Sequence, residues 1–243
     1  MHPPQQSPPN HFLQTLSRGD FELLRPHLRE VKLVHSAVLF DLGGTVEHIY
    51  FPTSGVVSLV VPLEGGDMIE AGMIGSDGAV GTSGALDGSV ALNRAIVQIA
   101  GTASMIEVPH MRAAVAASKS LRMSLYQHDQ ILLAQAQQCA ACNARHEIEE
   151  RLSRWLLRTR DLVDGRNIEL TQEFLAQMLG VRRTSVTLAA RHLQAVGLIK
   201  YRRGHIEILD LDGLEETSCE CYEAVKSQVA RLLKAPTLKV VEI

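Results

Sequence analysis

The sequence contains no apolar run approaching the roughly 18 residues that a membrane span requires. Its longest such stretch, 55–63, is far too short. The first ten residues, Met-His-Pro-Pro-Gln-Gln-Ser-Pro-Pro-Asn, lack the basic start and apolar core of a secretory signal. They read as a proline-rich disordered arm over 1–11, and the expected location is the cytoplasm. Residues 1–30 contain no cysteine, which removes an N-terminal iron–sulfur cluster. There is no G-x-S-x-G, no phosphate-binding Walker loop and no dinucleotide fingerprint. His35 and His48 do not have the His-x-His spacing of a cupin-type metalloenzyme. That enzyme class is the alternative a β-rich half would suggest, and no catalytic residue is assigned.

Positive charge is also lacking overall, since the net charge is −3. The deficit is uneven. Residues 1–150 carry 9 Lys+Arg against 15 Asp+Glu, and 206–243 carry 4 against 8. Residues 151–205 carry 11 against 4. Concentrated positive charge of this kind is an electrostatic footprint for phosphates.

That segment holds the most specific pattern in the chain. From Gln172 to Arg191 it reads Q-E-F-L-A-Q-M-L-G-V-R-R-T-S-V-T-L-A-A-R. Ala176 is small where a second helix would cross, Gly180 suits a turn that needs positive φ, and Val186 and Ala189 suit a buried face. Arg182, Arg183, Thr184, Thr187 and Arg191 then face outward, as in a helix-turn-helix whose second helix enters a major groove. Thr171 offers an N-cap hydroxyl before the first helix. Downstream, alternating apolar residues flank Arg203-Gly204, the pattern of a short β-hairpin. A helix-turn-helix followed by a basic hairpin is a winged helix, and its expected partner is double-stranded DNA.

The rest of the chain divides by pattern. Residues 12–117 begin with a short helical segment. Apolar stretches at 32–40, 55–62, 68–73 and 95–99 follow, broken by Gly43-Gly44, Gly65-Gly66 and Gly75 to Gly78. Short strands between such turns suggest a β-sandwich or jelly roll. A helix is expected over 110–117. A long one over 118–148 carries Leu121, Leu125, His128, Leu132, Gln135, Cys139, Cys142 and His146 at spacings of four and three. Two copies could pair along that seam; alternatively, the face packs on its own β-domain. Residues 149–235 hold the winged helix and a final helix over 214–233. The fold class is α+β.

This order of β-roll, long helix and winged helix resembles the Crp/Fnr superfamily of bacterial transcription regulators. The motif L-T-Q-E-F-L-A-Q-M-L-G-V-R-R-T-S-V from Leu170 carries the resemblance, with Gly197-Leu-Ile and Arg203-Gly-His-Ile-Glu-Ile, and the whole covers about 12–235. It implies a cyclic-nucleotide-binding-like jelly roll, a homodimer through the long helix, and RNA polymerase as a further partner. It makes Arg183 a reader of a guanine edge, a chemically sensible bidentate contact. Ser185 joins the DNA-facing set. Thr171 and Gln172 become phosphate contacts, as do Arg202, Arg203 and His205 of the wing. Thr184 stands where many members have glutamate and Leu188 where the best-known have arginine, so the familiar half-sites do not transfer. Leu188 could touch a thymine methyl or simply pack.

The same resemblance places an effector pocket at Gly81, Thr82 and Ser83 with Asn93 and Arg94. Thr82 replaces the ribose-binding glutamate, and Asn93 occupies the position of the phosphate-gripping arginine, with Arg94 one residue away. That pattern argues against cAMP and leaves the cofactor or effector unknown. A cyclic-nucleotide-responsive or a thiol/redox-responsive regulator is the alternative. Any of ten histidines could ligate a haem, and nothing singles one out.

The four cysteines form a Cys139-x-x-Cys142 pair and a Cys219-x-Cys221 pair. The first lies within a helix and the second lies some 75 residues on, so no metal ligand is assigned. Cys139 and Cys142 fall on the seam, so in a parallel dimer each could meet its symmetry mate and oxidation could lock the pair.

Overall fold

The structure is a computed structural model that describes residues 9–86, 90–163, 167–202 and 204–234. Most of the expected arm lies outside the described residues. Near the arm's end the chain is anchored through Asn10. Asn10 is fully buried, donates to the carbonyls of Pro52 and Gly78, and caps helix α1 (His11–Thr15). Helix α2 (Arg18–Leu24) follows at once, capped by the Ser17 hydroxyl.

Five strands then form one antiparallel sheet: β1 (Arg29–Leu33), β2 (Val38–Phe40), β3 (His48–Pro62), β4 (Met68–Ile74) and β5 (Arg94–Glu107). Their order is β1-β5-β3-β4, with β2 also on β5. The short, evenly spaced strands read from sequence are replaced by two long ones, β3 with 15 residues and β5 with 14. The ladder between them slips register at Pro52/Ser54, Ser54/Val56 and Val56/Val57. Gly55 sits among these bulges at φ 78°. A Cβ there would stand 2.5 Å from the Ile99 carbonyl oxygen. The bulges bend one long ribbon into a roll, so a single strand does the work of two.

Helix α3 (Val108–Ala117) starts with Pro109 in its first turn. Helix α4 (Lys119–Arg145) is capped by Ser118 and runs for 27 residues. Its seam of Leu121, Leu125, His128, Leu132, Gln135 and Cys142 is covered by this same chain. Leu121 and Leu125 join Phe12, Phe51, Ile106 and Met111 in one core. His128 bonds through Nε2 with the Ala79 backbone, and Leu132 packs on the inner face of the roll. The pairing of two copies along these residues is therefore corrected: the apolar seam is an intramolecular one. An apolar heptad face has the same sequence whether it meets a second copy or its own sheet.

Helix α5 (Ile148–Leu162) opens with a capping box between Glu147 and Glu150. It buries Leu152, Trp155, Leu156 and Leu157 in a core shared with Val56, Val60 and Met73 of the roll. The remaining elements are β6 (Asn167–Glu169), α6 (Gln172–Leu179), α7 (Arg183–Ala195), β7 (Ile199–Arg202), β8 (His205–Ile208), α8 (Leu211–Thr217) and α9 (Cys221–Lys234). The expected hairpin gains a third strand, giving the order β6-β8-β7. The final helix expected over 214–233 is two helices, broken at Ser218, where the chain turns extended.

Two buried polar contacts, linked through Glu70, and one partly exposed ion pair fasten α5 to the roll. Trp155 donates through Nε1 to Glu70 Oε1 at 3.0 Å, and the Ser58 hydroxyl donates to Glu70 Oε2 at 2.7 Å. Arg158 pairs with Asp77 at 2.6 Å. Burial pushes the Glu70 carboxyl up to about 7, against the Ser58 and Trp155 hydrogen bonds and the charges of Arg154 and Arg158.

The groups facing Glu70 are Ser58 of β3, with Gln98 of β5 behind it, Trp155, Arg154 and Arg158 of α5, and Cys139 of α4. A carboxyl whose folded value is raised from 4.5 to about 7 adds stability that is complete below the unfolded value and lost as pH climbs through the folded one. The wild type is expected to lose about 2–3 kcal/mol relative to Glu70→Gln between pH 4.5 and 7.5. Paired urea unfolding curves across that range measure it; a difference that stays flat with pH would contradict it.

Candidate nucleic-acid interface and effector cavity

Helix α6 is capped by the Thr171 hydroxyl, which accepts from the Phe174 N–H. It buries Leu175, Ala176, Met178 and Leu179. It stops because Gly180 turns left-handed at φ 62°, ψ 41°, and the Val181 N–H then closes on the Ala176 carbonyl. Helix α7 buries Val186, Ala189, Ala190 and Leu193 and leaves Arg182, Arg183, Thr184, Leu188 and Arg191 exposed.

Leu188 is 66% exposed, so it does not pack inside the domain and stands on the outer face beside Thr184 and Arg191. Arg183 is 3.9 Å from Glu173, with both side chains about two-thirds exposed. A pair that loose and solvated holds the guanidinium weakly. The Thr187 hydroxyl donates to Gln172 Oε1 at 2.7 Å, so these two residues clasp α7 to α6. Ser185 is half-buried in the first turn of α7, its N–H bonded to the Arg182 carbonyl.

In the wing, Arg202 and His205 face each other across the β7–β8 register, and both are exposed. Arg203 lies outside the described residues. Strand β6, which sequence reading missed, brings Glu169 to 3.7 Å from His205 Nδ1. A three-residue strand has too little alternation to be read from sequence.

The positive segment of the sequence does not all face this surface. Arg151 is buried and donates to the Leu179 carbonyl, Arg154 approaches the Cys139 sulfur, and Arg158 pairs with Asp77. Among the described residues, Arg182, Arg183, Arg191, Lys200 and Arg202 are exposed, and Arg160 is partly exposed beside Asp161. Arg151, Arg154 and Arg158 instead tie α5 to three neighbours: Arg151 to α6, Arg154 to α4 and Arg158 to the roll.

Of the five residues expected at the effector pocket, Thr82 and Arg94 have side-chain partners close by. The Thr82 hydroxyl donates to Asp129 at 2.6 Å. Arg94 makes a two-pronged bond to Asp41, 2.8 Å on each arm. Gly81 serves a turn at φ 89°, where a Cβ would meet the His48 carbonyl oxygen at 2.8 Å. Ser83 follows in the short 3-10 turn Thr82–Ala85, and Asn93 is half-buried beside Arg94.

A cavity of about 600 Å³ lies elsewhere, between the roll, α4, α5 and α9. Its floor includes Glu70, Met73 and Gln135, and its outer wall includes Tyr222, Val225 and Val229 of α9. None of Gly81, Thr82, Ser83, Asn93 or Arg94 lines it.

The cysteines also differ from the expectation. Cys139 lines this cavity, and burial pushes its thiol pKa up, which disfavours the reactive thiolate. Cys142 is fully buried, with its sulfur 3.5 Å from Cys219 of the same chain. It cannot reach a symmetry mate from there, so the dimer-locking disulfide at Cys142 is corrected.

Comparison with known proteins adds to this geometry. Residues 150–217 match the family of Crp-like helix-turn-helix domains. Among solved structures, FixK2 from Bradyrhizobium japonicum superposes with a TM-score of 0.69 at 16% identity, over 79% of this chain and 98% of that one. The regulator CLP of Xanthomonas campestris, described as responsive to c-di-GMP, superposes at 0.63 and 18% identity, over 80% and 100%. A CRP-family transcriptional regulator from Thermus thermophilus, TTHB099, does so at 0.64 and 20%, over 77% and 96%. No curated protein matches this sequence.

Truncating Arg183 and Arg202 should separate reading from holding. Arg183→Ala is expected to cost about 1–3 kcal/mol at one base pair and to relax preference there. Arg202→Ala should weaken all duplexes evenly and lower the salt dependence by about one phosphate contact. Fluorescence anisotropy against single-base variants of a bound duplex reads both; an even loss for Arg183→Ala would make it a phosphate contact.

Proposed function

We infer, from a chain that belongs to the Crp/Fnr superfamily of transcription regulators, that it acts as a homodimer reading a roughly two-fold DNA site under the control of a ligand in its α9-walled cavity. The observation that carries this reading is the exposed N-terminal half of α7, with Arg182, Arg183, Thr184 and Leu188 presented together. Arg183 and Thr184 contact base edges, Leu188 meets a thymine methyl, and Ser185 and Arg191 flank them. Thr171, Arg202 and His205 hold phosphate, with Gln172 and Thr187 fixing the angle between the two helices. Arg203 belongs with the wing contacts on sequence grounds.

The dimer forms along the face of α4 opposite its buried seam. Tyr126, Gln130, Leu133, Gln137, Ala140 and Ala144 repeat at spacings of four and three and are all exposed. Tyr126 and Leu133 are each 49% exposed, a level that suits burial against a second copy. The alanines let two helices approach closely.

The sensory domain is the roll with the cavity at its edge. The Asp41 partner of Arg94 supports an effector other than a cyclic nucleotide held at the expected place, and the apolar wall of the cavity favours a small, largely apolar molecule. An effector acts by favouring one arrangement of roll and winged helix. The contacts that would change are Trp155–Glu70 and Arg158–Asp77. RNA polymerase is the onward partner, and the cytoplasm is the site of action. Among the described residues no helix is long and apolar enough to cross a membrane.

Leu133→Glu tests the dimer. Equal negative charges facing each other across the pair should yield a monomer by sedimentation equilibrium, with unchanged helix content. Affinity for a two-half-site duplex should drop at least about 100-fold, because the second half-site contact is no longer intramolecular. A variant that remains a dimer with full affinity would place the interface elsewhere.

A further inference from the structure

Where α4 ends and the α8–α9 break begins, four metal-ligating side chains converge. They are Cys142 in the last turn of α4, His146 at its C-cap, Cys219 in the break and Cys221 at the start of α9. One ligand atom from each lies within 4.8 Å of all the others. The sulfurs of Cys142 and Cys219 are 3.5 Å apart, and Cys221 Sγ is 3.5 Å from His146 Nδ1. Around a tetrahedral zinc with about 2.3 Å bonds to sulfur and 2.0–2.1 Å to nitrogen, ligand atoms stand about 3.5–3.8 Å apart. These two separations match this spacing, and with every other pair within 4.8 Å small side-chain adjustments close the set around one ion. They are too long for a bonded disulfide, which brings sulfurs to about 2.05 Å.

The surroundings fit as well. His146 turns Nδ1 toward the cluster, while its Nε2 lies 3.1 Å from a Glu220 carboxylate oxygen. An outer carboxylate of this kind fixes the tautomer of a metal-bound imidazole. Gln138 donates through Nε2 to the Cys221 sulfur at 3.0 Å, as outer-shell donors to thiolates do. Three thiolates and one imidazole on a divalent ion leave one net negative charge. Arg151 and Arg154 both lie close enough to Cys142 and Cys219 to offset it. All three cysteines are buried, and they form a cluster of their own apart from the main cores. Cys139 is not a member. Its sulfur faces Arg154 instead, so the Cys-x-x-Cys spacing is not the ligand set.

We propose that Cys142, His146, Cys219 and Cys221 bind one zinc ion per chain as a closed structural site that fastens α9 to α4. Binding replaces the thiol protons, which pass to solvent, with zinc–sulfur bonds, and no electrons move. The consequence reaches the cavity. Helix α9 forms its outer wall through Tyr222, Val225 and Val229, and it begins at the ligand Cys221. Loss of zinc therefore frees the start of the cavity wall.

The full-length protein, purified under reducing conditions without chelator, should contain one zinc per chain by mass-spectrometric metal analysis. Refilling stripped protein with cobalt(II) alone should give the intense visible bands of a tetrahedral thiolate site. Cys219→Ser and His146→Ala should each weaken zinc retention against a competing chelator at least about 10-fold, whereas Cys139→Ser should retain zinc like wild type. Should a ligand variant fail to fold, chelator treatment of the wild type provides an independent readout. Amide exchange in 221–234 should rise at least about 10-fold while that of 11–24 stays unchanged. Metal-free protein with a Cys142–Cys219 disulfide, iron with inorganic sulfide in place of zinc, or zinc lost on Cys139→Ser would each overturn the proposal.

Discussion

Everything in this molecule depends on how the two faces of one long helix are used. The apolar seam of α4 is buried by its own chain: Leu121 and Leu125 on the first core, Leu132 on the roll, and Gln135 and Cys142 toward α9. Had that seam been left to pair with a second copy, the roll would have lost its cover and α9 its support. Because it is occupied internally, the face of α4 left exposed is the opposite one, with Tyr126, Leu133 and Ala140. One helix thus serves as a core element for the protomer, while its outer face is the one we propose for pairing with a second copy.

Helix α5 passes this organisation on to the winged helix. Its Trp155 and leucines share a core with β3 and β4 of the roll, and Glu70, with its raised pKa, accepts from Trp155 inside that core. A buried carboxyl is a costly choice where a hydrophobic residue would fit, and breaking one partner of such a contact costs several times more than it contributes. Contacts of this kind hold one arrangement of the roll and the winged helix firmly until something shifts the balance. The cavity lies beside this junction, with Arg154 and Arg158 reaching it from α5.

The winged helix was legible because its requirements are local. Gly180 must turn left-handed, Ala176 must be small, and Val186 must be buried, and each is a statement about one residue and its near neighbours. What escaped sequence reading depended on distant pairings. The roll's long strands were hidden because bulges at Ser54 to Val57 interrupt the alternation that marks a strand. The seam of α4 was visible as a seam, but the partner it meets is not encoded in its period. The Cys-x-Cys pair stood too far from Cys142 in sequence to matter until the fold carried it across 77 positions to a 3.5 Å contact. Arg94 was visible as a cation near a phosphate-binding position; only the structure reveals Asp41 as its partner. Local charge counting likewise overstated the DNA-facing surface, since Arg151, Arg154 and Arg158 point inward.

Two recognition helices carried on paired α4 helices should sit about one DNA turn apart and so read two half-sites related by a two-fold axis. Selection of bound duplexes from a random pool, sequenced after several rounds, tests this most directly. The expected result is an enriched, roughly palindromic site with half-site centres about 10–10.5 base pairs apart and a guanine in each half that loses enrichment with Arg183→Ala. A pool that yields no motif, or a single half-site with no symmetric partner, would contradict it.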